Sequence, residues 1–188
     1  ENIEYIDTNS VALNLLEVGP NQNLSVRSTG GDISNGRSSP GHNVALDGGL
    51  ILTSNSGDIG APGDAVTVTG GTVASTASGR TFLQSSGDDL TVGQVTVTNT
   101  TTSSQVATAS GLTSNGDIEI ALSAAGPTLL NQQADINSTS GGVAVRLDNG
   151  SLNQTAGVLK GRSVALKLNG NAGTFDGTAV SGEVNLET

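Results

Sequence analysis

Short segments of alternating large aliphatic and small or polar residues recur along the whole chain, and this repeat constrains the fold more than any other feature. An alternation with a period of two residues is typical of a β-strand with one buried face. The segments cover residues 11–15, 44–46, 66–69, 95–98, 118–122, 143–147 and 164–168. Helical periodicity does not accompany them, so the sequence predicts an all-β protein.

A polar corner precedes most of these strands. It consists of an aliphatic residue, a short polar run that usually contains Gly, and a second aliphatic residue, as in the run from Leu52 through Gly57 and Asp58 to Ile59. The aliphatic residues that follow successive corners, which we call anchors, are Val11, Ile33, Ile59, Leu90, Ile118, Val143, Val164 and Val184, with spacings of 22, 26, 31, 28, 25, 21 and 20 residues. The shortest spacings hold the cleanest copies. The pattern indicates a basic coil of about 20 residues with insertions in the middle of the chain.

A period of this length made of short strands and turns favours a β-solenoid. A β-sandwich is the alternative, since its strands also recur at regular spacing. We predict a right-handed parallel β-helix (β-solenoid) of about eight coils. It forms one domain over residues 1–188, with residues 1–10 as an N-terminal extension or cap. In this fold Val164 stacks on Val143, and Val143 stacks on Ile118.

The two longest coils, 59–90 and 90–118, contain extra loop material at residues 60–64 and 98–104. Insertions in a solenoid often gather on one specialised face. These two segments are therefore the first place to look for a binding surface, although neutral surface loops are the simpler interpretation.

The composition raises disorder as a rival to any fold. The chain contains 27 Gly and only 2% aromatic residues, and such chains often bury too little apolar surface to offset the entropy of ordering. Leu, Ile, Val and Phe nevertheless make up 46 of the 188 residues, which is above the level of about 20% at which disorder becomes the default. In a solenoid the Gly, Asn and Asp residues supply the corners.

The charge excludes several kinds of partner. The formal net charge is -10, so nucleic-acid phosphates and anionic membrane surfaces would be repelled. No stretch approaches the roughly 20 apolar residues of a membrane helix, which gives no expectation of membrane insertion. The chain contains no Cys, and this removes disulfides, thiol catalysis and cysteine-ligated metals together.

Acidic residues recur at the corners. Asp32, Asp58, Asp88 or Asp89, and Asp117 are placed at equivalent positions in four successive coils. Stacked carboxylates about 5 Å apart would repel each other, so a bridging Ca²⁺ is physically reasonable. The simpler alternative is that each Asp hydrogen-bonds the turn backbone. Apart from this calcium site, no cofactor is expected.

The iterated corner resembles the β-helical stalks of filamentous-haemagglutinin-type exoproteins and autotransporter passengers. The resemblance rests on the Gly-Asp-Ile corners at residues 57–59 and 116–118, on the aliphatic-x-aliphatic strands that follow them, and on a Cys-free background rich in Gly, Ser, Thr and Asn. It covers nearly all of residues 11–188. It implies an extracellular rod at the bacterial cell surface that serves adhesion, biofilm cohesion or display.

An adhesive role implies a host or matrix surface ligand as a partner. The other expected partners are neighbouring solenoid repeats or other copies placed end to end. No highly charged or helical cap is evident at either terminus of the sequence, which favours end-to-end association because exposed end coils tend to add strands.

Two other functions are compatible with a β-solenoid. Polysaccharide lyases and hydrolases share this architecture, but they need clustered carboxylates or a placed base, and the single His42 has no apparent partner. Ice-binding or surface-binding solenoids use Thr-x-Thr ladders, and two such triplets occur at residues 67–69 and 96–98. We therefore expect a structural protein rather than an enzyme, with no catalytic residues.

Overall fold

The chain folds into a β-solenoid. A computed structural model describes residues 2–99, 104–169 and 180–187, in which strands are joined by turns and no helix is present. Parallel strands are stacked in about seven turns. The predicted fold class is thereby confirmed, because stacked parallel rungs exclude an antiparallel sandwich. The right-handed sense of the coil stays a prediction.

The described residues form 19 strands. In chain order they are β1 (Ile3–Asp7), β2 (Val11–Leu13), β3 (Leu16–Val18), β4 (Leu24–Ser28), β5 (Ile33–Asn35), β6 (Val44–Leu46), β7 (Gly49–Ser54), β8 (Val66–Thr69), β9 (Thr72–Ala77), β10 (Thr81–Ser86), β11 (Leu90–Val92), β12 (Gln94–Asn99), β13 (Ser104–Ser110), β14 (Leu112–Ser114), β15 (Ile118–Gln132), β16 (Ile136–Ser138), β17 (Val143–Gln154), β18 (Leu159–Asn169) and β19 (Val180–Glu187).

Two long ladders of parallel strands run through the molecule. The first ladder contains β1, β4, β7, β9, β14, β16 and the first residues of β18 and β19. Because β1 pairs with β4, residues 3–7 belong to the first coil. In the upper coils a third side is formed by β11 and the later halves of β15 and β17, and β11 also pairs with the start of β9. In the lower coils β3, β6 and β8 stack beneath β10.

The second ladder carries the anchors. Ile118 pairs with Val143, and Val143 pairs with Val164, which confirms the predicted stacking of these residues. Aliphatic side chains of successive coils meet inside the tube, and Ile59, Ile120 and Val164 are fully buried. Each such side chain contributes roughly 1.5–3 kcal/mol by leaving water, so a continuous aliphatic core stabilises a chain that has few aromatic residues.

One predicted anchor is wrong. The fourth rung of the second ladder is Thr81, which bridges Ile59 below and pairs with Ile118 above. Leu90 instead pairs with Leu130 on the third side. The coil between Thr81 and Ile118 is therefore the irregular one, and a β-hairpin within it accounts for its length.

The hairpin consists of β12 and β13, which pair antiparallel. It is inserted at a single rung of the first ladder, at the level of Ala74, since Val92 pairs with Val73 and Leu112 pairs with Ser75. The N–H of Gly93 donates to the carbonyl of Val73, and the carbonyl of Gly111 accepts from the N–H of Ser75. The two glycines together supply the donor and the acceptor that one residue would supply in an uninterrupted strand.

The hairpin packs on the outer face of the first ladder. Val95 and Val97 cover Ile51 and Ala74 and form a small apolar cluster outside the tube. The predicted insertion at 98–104 lies within this hairpin, and residues 100–103 of it are outside the described residues. The other predicted insertion, 60–64, is a tight loop that a bridge between Ala61 and Asp64 closes.

Candidate functional site: the corner ladder

The residue before each anchor of the second ladder lies at a corner of the coil. By the register of the strands, these residues form a single stack, which we call the corner ladder. Its members are Ser10, Asp32, Asp58, Arg80, Asp117, Gly142, Ser163 and Glu183. The sequence predicts candidate metal ligands at these corners. The geometry of the corner ladder therefore determines which bonds those residues can form.

The carboxylates of Asp32, Asp58 and Asp117 each bind the backbone of the coil above. The N–H of Asp58 donates to Asp32 Oδ1 at 2.8 Å, and the N–H of Arg80 donates to Asp58 Oδ1 at 2.7 Å. Asp117 Oδ1 accepts from the N–H of Gly142 at 2.8 Å. The side chain thus replaces the carbonyl that would otherwise accept from the neighbouring strand, and it satisfies a donor at a point where the chain turns.

The same bond recurs at other corners of the coil. The N–H of Val158 donates to Asp135 Oδ1 at 2.9 Å, and the N–H of Leu129 donates to Asp89 Oδ1 at 2.7 Å. Nine bonds of this kind join successive coils in the described residues, with side-chain acceptors Asn2, Ser10, Asn23, Asp32, Asn43, Asp58, Asp89, Asp117 and Asp135. In all of them the acceptor lies in the earlier coil and the N–H in the later one.

Glycine before the corner residue makes room for this bond. A Cβ atom on Gly57 would overlap Asp32 Oδ1, and one on Gly79 would overlap Asp58 Oδ1. The carboxylate of one coil therefore occupies the space that a side chain in the next coil would fill. This explains why Gly and Asp recur as a pair. The Gly leaves space for the Asp side chain of the coil below, and the Asp accepts a hydrogen bond from the backbone of the coil above.

Arg80 occupies the fourth rung of the corner ladder, between Asp58 and Asp117. Its Nη2 lies 2.7 Å from Asp58 Oδ2, and its Nε donates to the same oxygen at 3.1 Å. The guanidinium also lies over the Phe82 ring, with Cζ 5.5 Å from the ring centroid. A cation is thereby inserted into the row of acids, where it relieves the repulsion among them.

The titration of the pair reflects this arrangement. Partial burial by itself would raise the pKa of Asp58, but the hydrogen bonds and the charge of Arg80 outweigh burial and hold that pKa below its ordinary value. The pKa of Arg80 is raised, first by the hydrogen bond to Asp58 and then by its charge, with smaller contributions from Asp117 and Asp32. Arg80 therefore interacts with three acids of the ladder, Asp32, Asp58 and Asp117.

The predicted calcium ligands are only partly brought together. Asp32, Asp58 and Asp117 lie in the corner ladder, whereas Asp88 and Asp89 lie at a corner of the third side, just before Leu90. The placement of Asp88 and Asp89 in the ladder is therefore wrong, for the same reason as the Leu90 anchor. Within the described residues no three acidic or histidine side chains form a group that could hold a metal ion. Binding of Ca²⁺ by the three remaining acids stays a prediction.

Sequence reasoning missed Arg80 as a corner residue. Gly79 precedes it, as Gly57 precedes Asp58, and this glycine was the available signal. The rung was overlooked because Thr81 replaces the aliphatic anchor that follows the corner elsewhere. The Asn acceptors, such as Asn23, could not be identified from charge, because the amide side chain is neutral.

The residues considered for other functions lie apart in the fold. His42 is in the loop between β5 and β6. Thr67 and Thr69 are in β8 of the coil, while Thr96 and Thr98 are in β12 of the hairpin, so the two Thr-x-Thr triplets belong to different sheets. They do not form a common ladder.

No protein-family model, no curated protein and no solved structure matches the chain. In the described ranges, no helix has the length and apolar character that crossing a bilayer requires.

Proposed function

We propose that the chain is a structural or adhesive β-solenoid segment of a secreted bacterial surface protein or extracellular fibre. One observation carries the proposal: the polar groups that could have performed chemistry are used to join successive coils. Asp32, Asp58 and Asp117 each bind the backbone of the next coil, and Asp89 and Asp135 do the same at other corners.

Two further features support an extracellular rod. The chain contains no Cys and is rich in Gly, Ser, Thr and Asn. Contacts between successive coils build the whole length, so a rod of this kind can be extended by adding coils without a new core. Both features are also those of the exoprotein stalks that the corner motif resembles.

The location can be tested with an epitope tag inserted between Pro62 and Gly63, which are exposed in the 60–64 loop. In a bacterium that expresses the full gene, an antibody should bind the tag on intact cells. A tag that becomes accessible only after lysis would contradict the proposal.

The structural or adhesive role needs a separate measurement. Cells that lack the coding segment should lose cohesion or attachment to a coated surface, and the native segment should restore it. A variant with Ile120→Asp, which places a charge in the closed core, should fail to restore it. Equal attachment of all strains would contradict a role in adhesion or cohesion.

A further inference from the structure

The hairpin lies lengthwise on the solenoid, across the coils that precede it. Strands β1, β4, β7 and β9 belong to the first four coils, and the residues that begin or directly precede them form one column: Asn2, Asn23, Gly49 and Thr72. The chain leaves the tube at Gly93, beside Thr72 in the fourth coil. Strand β12 then passes over the third, second and first coils in turn, so that one insertion contacts four coils.

The contact with the third coil is apolar. A Cβ atom on Gly49 would overlap Val95 Cγ1. Val95 and Val97 also pack on Ile51, whose side chain lies outside the tube and is only 2% exposed. At Gly49, a valine side chain of the hairpin therefore occupies the space that a side chain of the coil would fill.

The contacts with the second and first coils are hydrogen bonds from two asparagine side chains. Asn23 Nδ2 donates to the carbonyl of Thr96 at 2.7 Å. Asn2 Nδ2 donates to both the carbonyl and the hydroxyl of Thr98 at 3.0 Å. These bonds join residues 73 and 96 positions apart in the sequence. The hairpin thus binds two coils whose strands on the first ladder do not pair with the fourth coil.

Each of these asparagines also forms a corner bond. Asn23 Oδ1 accepts from the N–H of Gly49 at 2.6 Å, and Asn2 Oδ1 accepts from the N–H of Asn23 at 2.8 Å. A carboxylate, such as that of Asp32, could form the corner bond but has no donor for the hairpin. The amide side chain therefore joins its own coil to the next coil and to the hairpin at the same time.

The hydrogen bonds of the hairpin are directed to the earlier coils. The next strands of the first ladder, β14 and β16, form no hydrogen bond with β12 or β13 in the part of the chain that the structure describes. We propose that the hairpin is an axial strap that makes the first four coils open as one unit.

The strap changes how the stack can come apart. In a solenoid held only by contacts between neighbours, adjacent coils can separate one at a time. Here the second coil cannot separate from the third without also breaking the bond between Asn23 and Thr96. The strap is a property of the fold, and it does not depend on the adhesive role proposed above.

Native-state hydrogen exchange, followed by mass spectrometry, measures the opening of each coil. Asn23→Asp is the first variant, because it retains the Oδ1 acceptor for Gly49 and replaces the Nδ2 donor with an oxygen that faces the Thr96 carbonyl. The backbone amides of β1 and β4 should exchange on the order of tenfold faster than in the native chain. Exchange in β16 and β18 should not change.

Asn21→Asp is the matched control, since it adds the same charge two residues away. Asn21 is exposed, and among the described residues its side chain forms no hydrogen bond. Its φ of 58° is a conformation that Asp also adopts. This variant should exchange like the native chain.

Deletion of residues 94–111 is the second variant and removes the strap altogether. It should accelerate exchange in β1 and β4 at least as much as Asn23→Asp does. Circular dichroism of all three variants checks that the fold is retained.

Two results would overturn the proposal. One is exchange in β1 and β4 that is no faster in Asn23→Asp and in the deletion variant than in Asn21→Asp. The other is an equal acceleration in every coil, which would show that the hairpin adds to global stability without coupling particular coils. The tag and attachment experiments do not bear on either result, so the two proposals fail separately.

Discussion

Asp58 shows how a single residue joins three coils. Its Oδ1 accepts the backbone N–H of Arg80 above, its Oδ2 binds the Arg80 guanidinium, and its own N–H donates to Asp32 below. A hydrogen bond to an ionised group contributes roughly 1.5–3 kcal/mol when the donor would otherwise be unsatisfied. The polar corners therefore stabilise the stack.

Where a glycine precedes a corner residue, it should be intolerant of a side chain. Gly57→Ala is expected to destabilise the fold by about 1–3 kcal/mol, because the new methyl group overlaps the Asp32 carboxylate. Gly19→Ala is the control, since its Cβ would meet only Gln22 atoms at 3.7–3.8 Å. Urea unfolding measures both. A Gly57→Ala variant as stable as Gly19→Ala would show that the carboxylate does not need this space.

The pair of Asp58 and Arg80 predicts a pH dependence. Because the pKa of Asp58 in the folded chain lies below that of the unfolded chain, the pair stabilises the fold above the unfolded value of about 3.9, and this contribution is lost as the pH falls through the folded value. Arg80→Gln should therefore lower the stability at pH 7 by a small amount, because the pair is partly exposed. The loss should be smaller at about pH 2, because the contribution of the charged pair decreases as the pH falls through the folded pKa of Asp58.

Urea unfolding of this variant at the two pH values measures the difference. Arg146→Gln is the control, because Arg146 Nε lies 3.9 Å from Asp148 Oδ1 and both side chains are about half exposed. It should change little at either pH. An equal loss of stability for Arg80→Gln at both pH values would indicate that packing on Phe82, rather than charge, explains the effect.

At the scale of strands, alternation predicted most of the second ladder because its inward residues are aliphatic in nearly every coil. The fourth rung could not be predicted in this way, since Thr81 is polar and is followed by an unusually long coil. Gly87 and Asp89 before Leu90 reproduce the corner motif, and Asp89 does form the corner bond, but on the third side of the tube. The motif therefore identified a corner correctly and assigned it to the wrong ladder.

The hairpin should be dispensable for the solenoid. Deletion of residues 94–111 leaves Gly93 alone at the rung opposite Ala74, and the coil between Thr81 and Ile118 then has the usual length. The variant should fold but lose about 1.5–3 kcal/mol, because Ile51 becomes exposed. Circular dichroism and thermal unfolding check both statements. Deletion of residues 143–160, equal in length but within regular coils, should abolish the cooperative transition, and a folded product would contradict the assignment of the hairpin as an insertion.

For the molecule as a whole, side chains inside the tube pack on the coils above and below, whereas the hairpin also reaches earlier coils at Asn2 and Asn23. The effect of a core mutation should therefore depend on its place in the stack. Val143 and Val11 occupy the same position of the second ladder, but Val143 lies between Ile118 and Val164, while Val11 has only Ile33 above it. Val143→Ala should cost about 2 kcal/mol, and Val11→Ala should cost less, because Val11 is 8% exposed and packs on one rung only. Urea unfolding of the monomer tests this, and equal costs would contradict nearest-neighbour stacking.

The way the hairpin joins the coil has a consequence for how such proteins diversify. Two glycines share the hydrogen bonds of one residue, so the chain can leave the tube and return to it without shifting any rung above. A segment inserted at such a point changes the repeat length in the sequence while the stack retains its geometry. Proteins with this fold can therefore gain surface insertions one at a time. The spacing of their repeats along the sequence then becomes irregular, while the coils remain stacked in register.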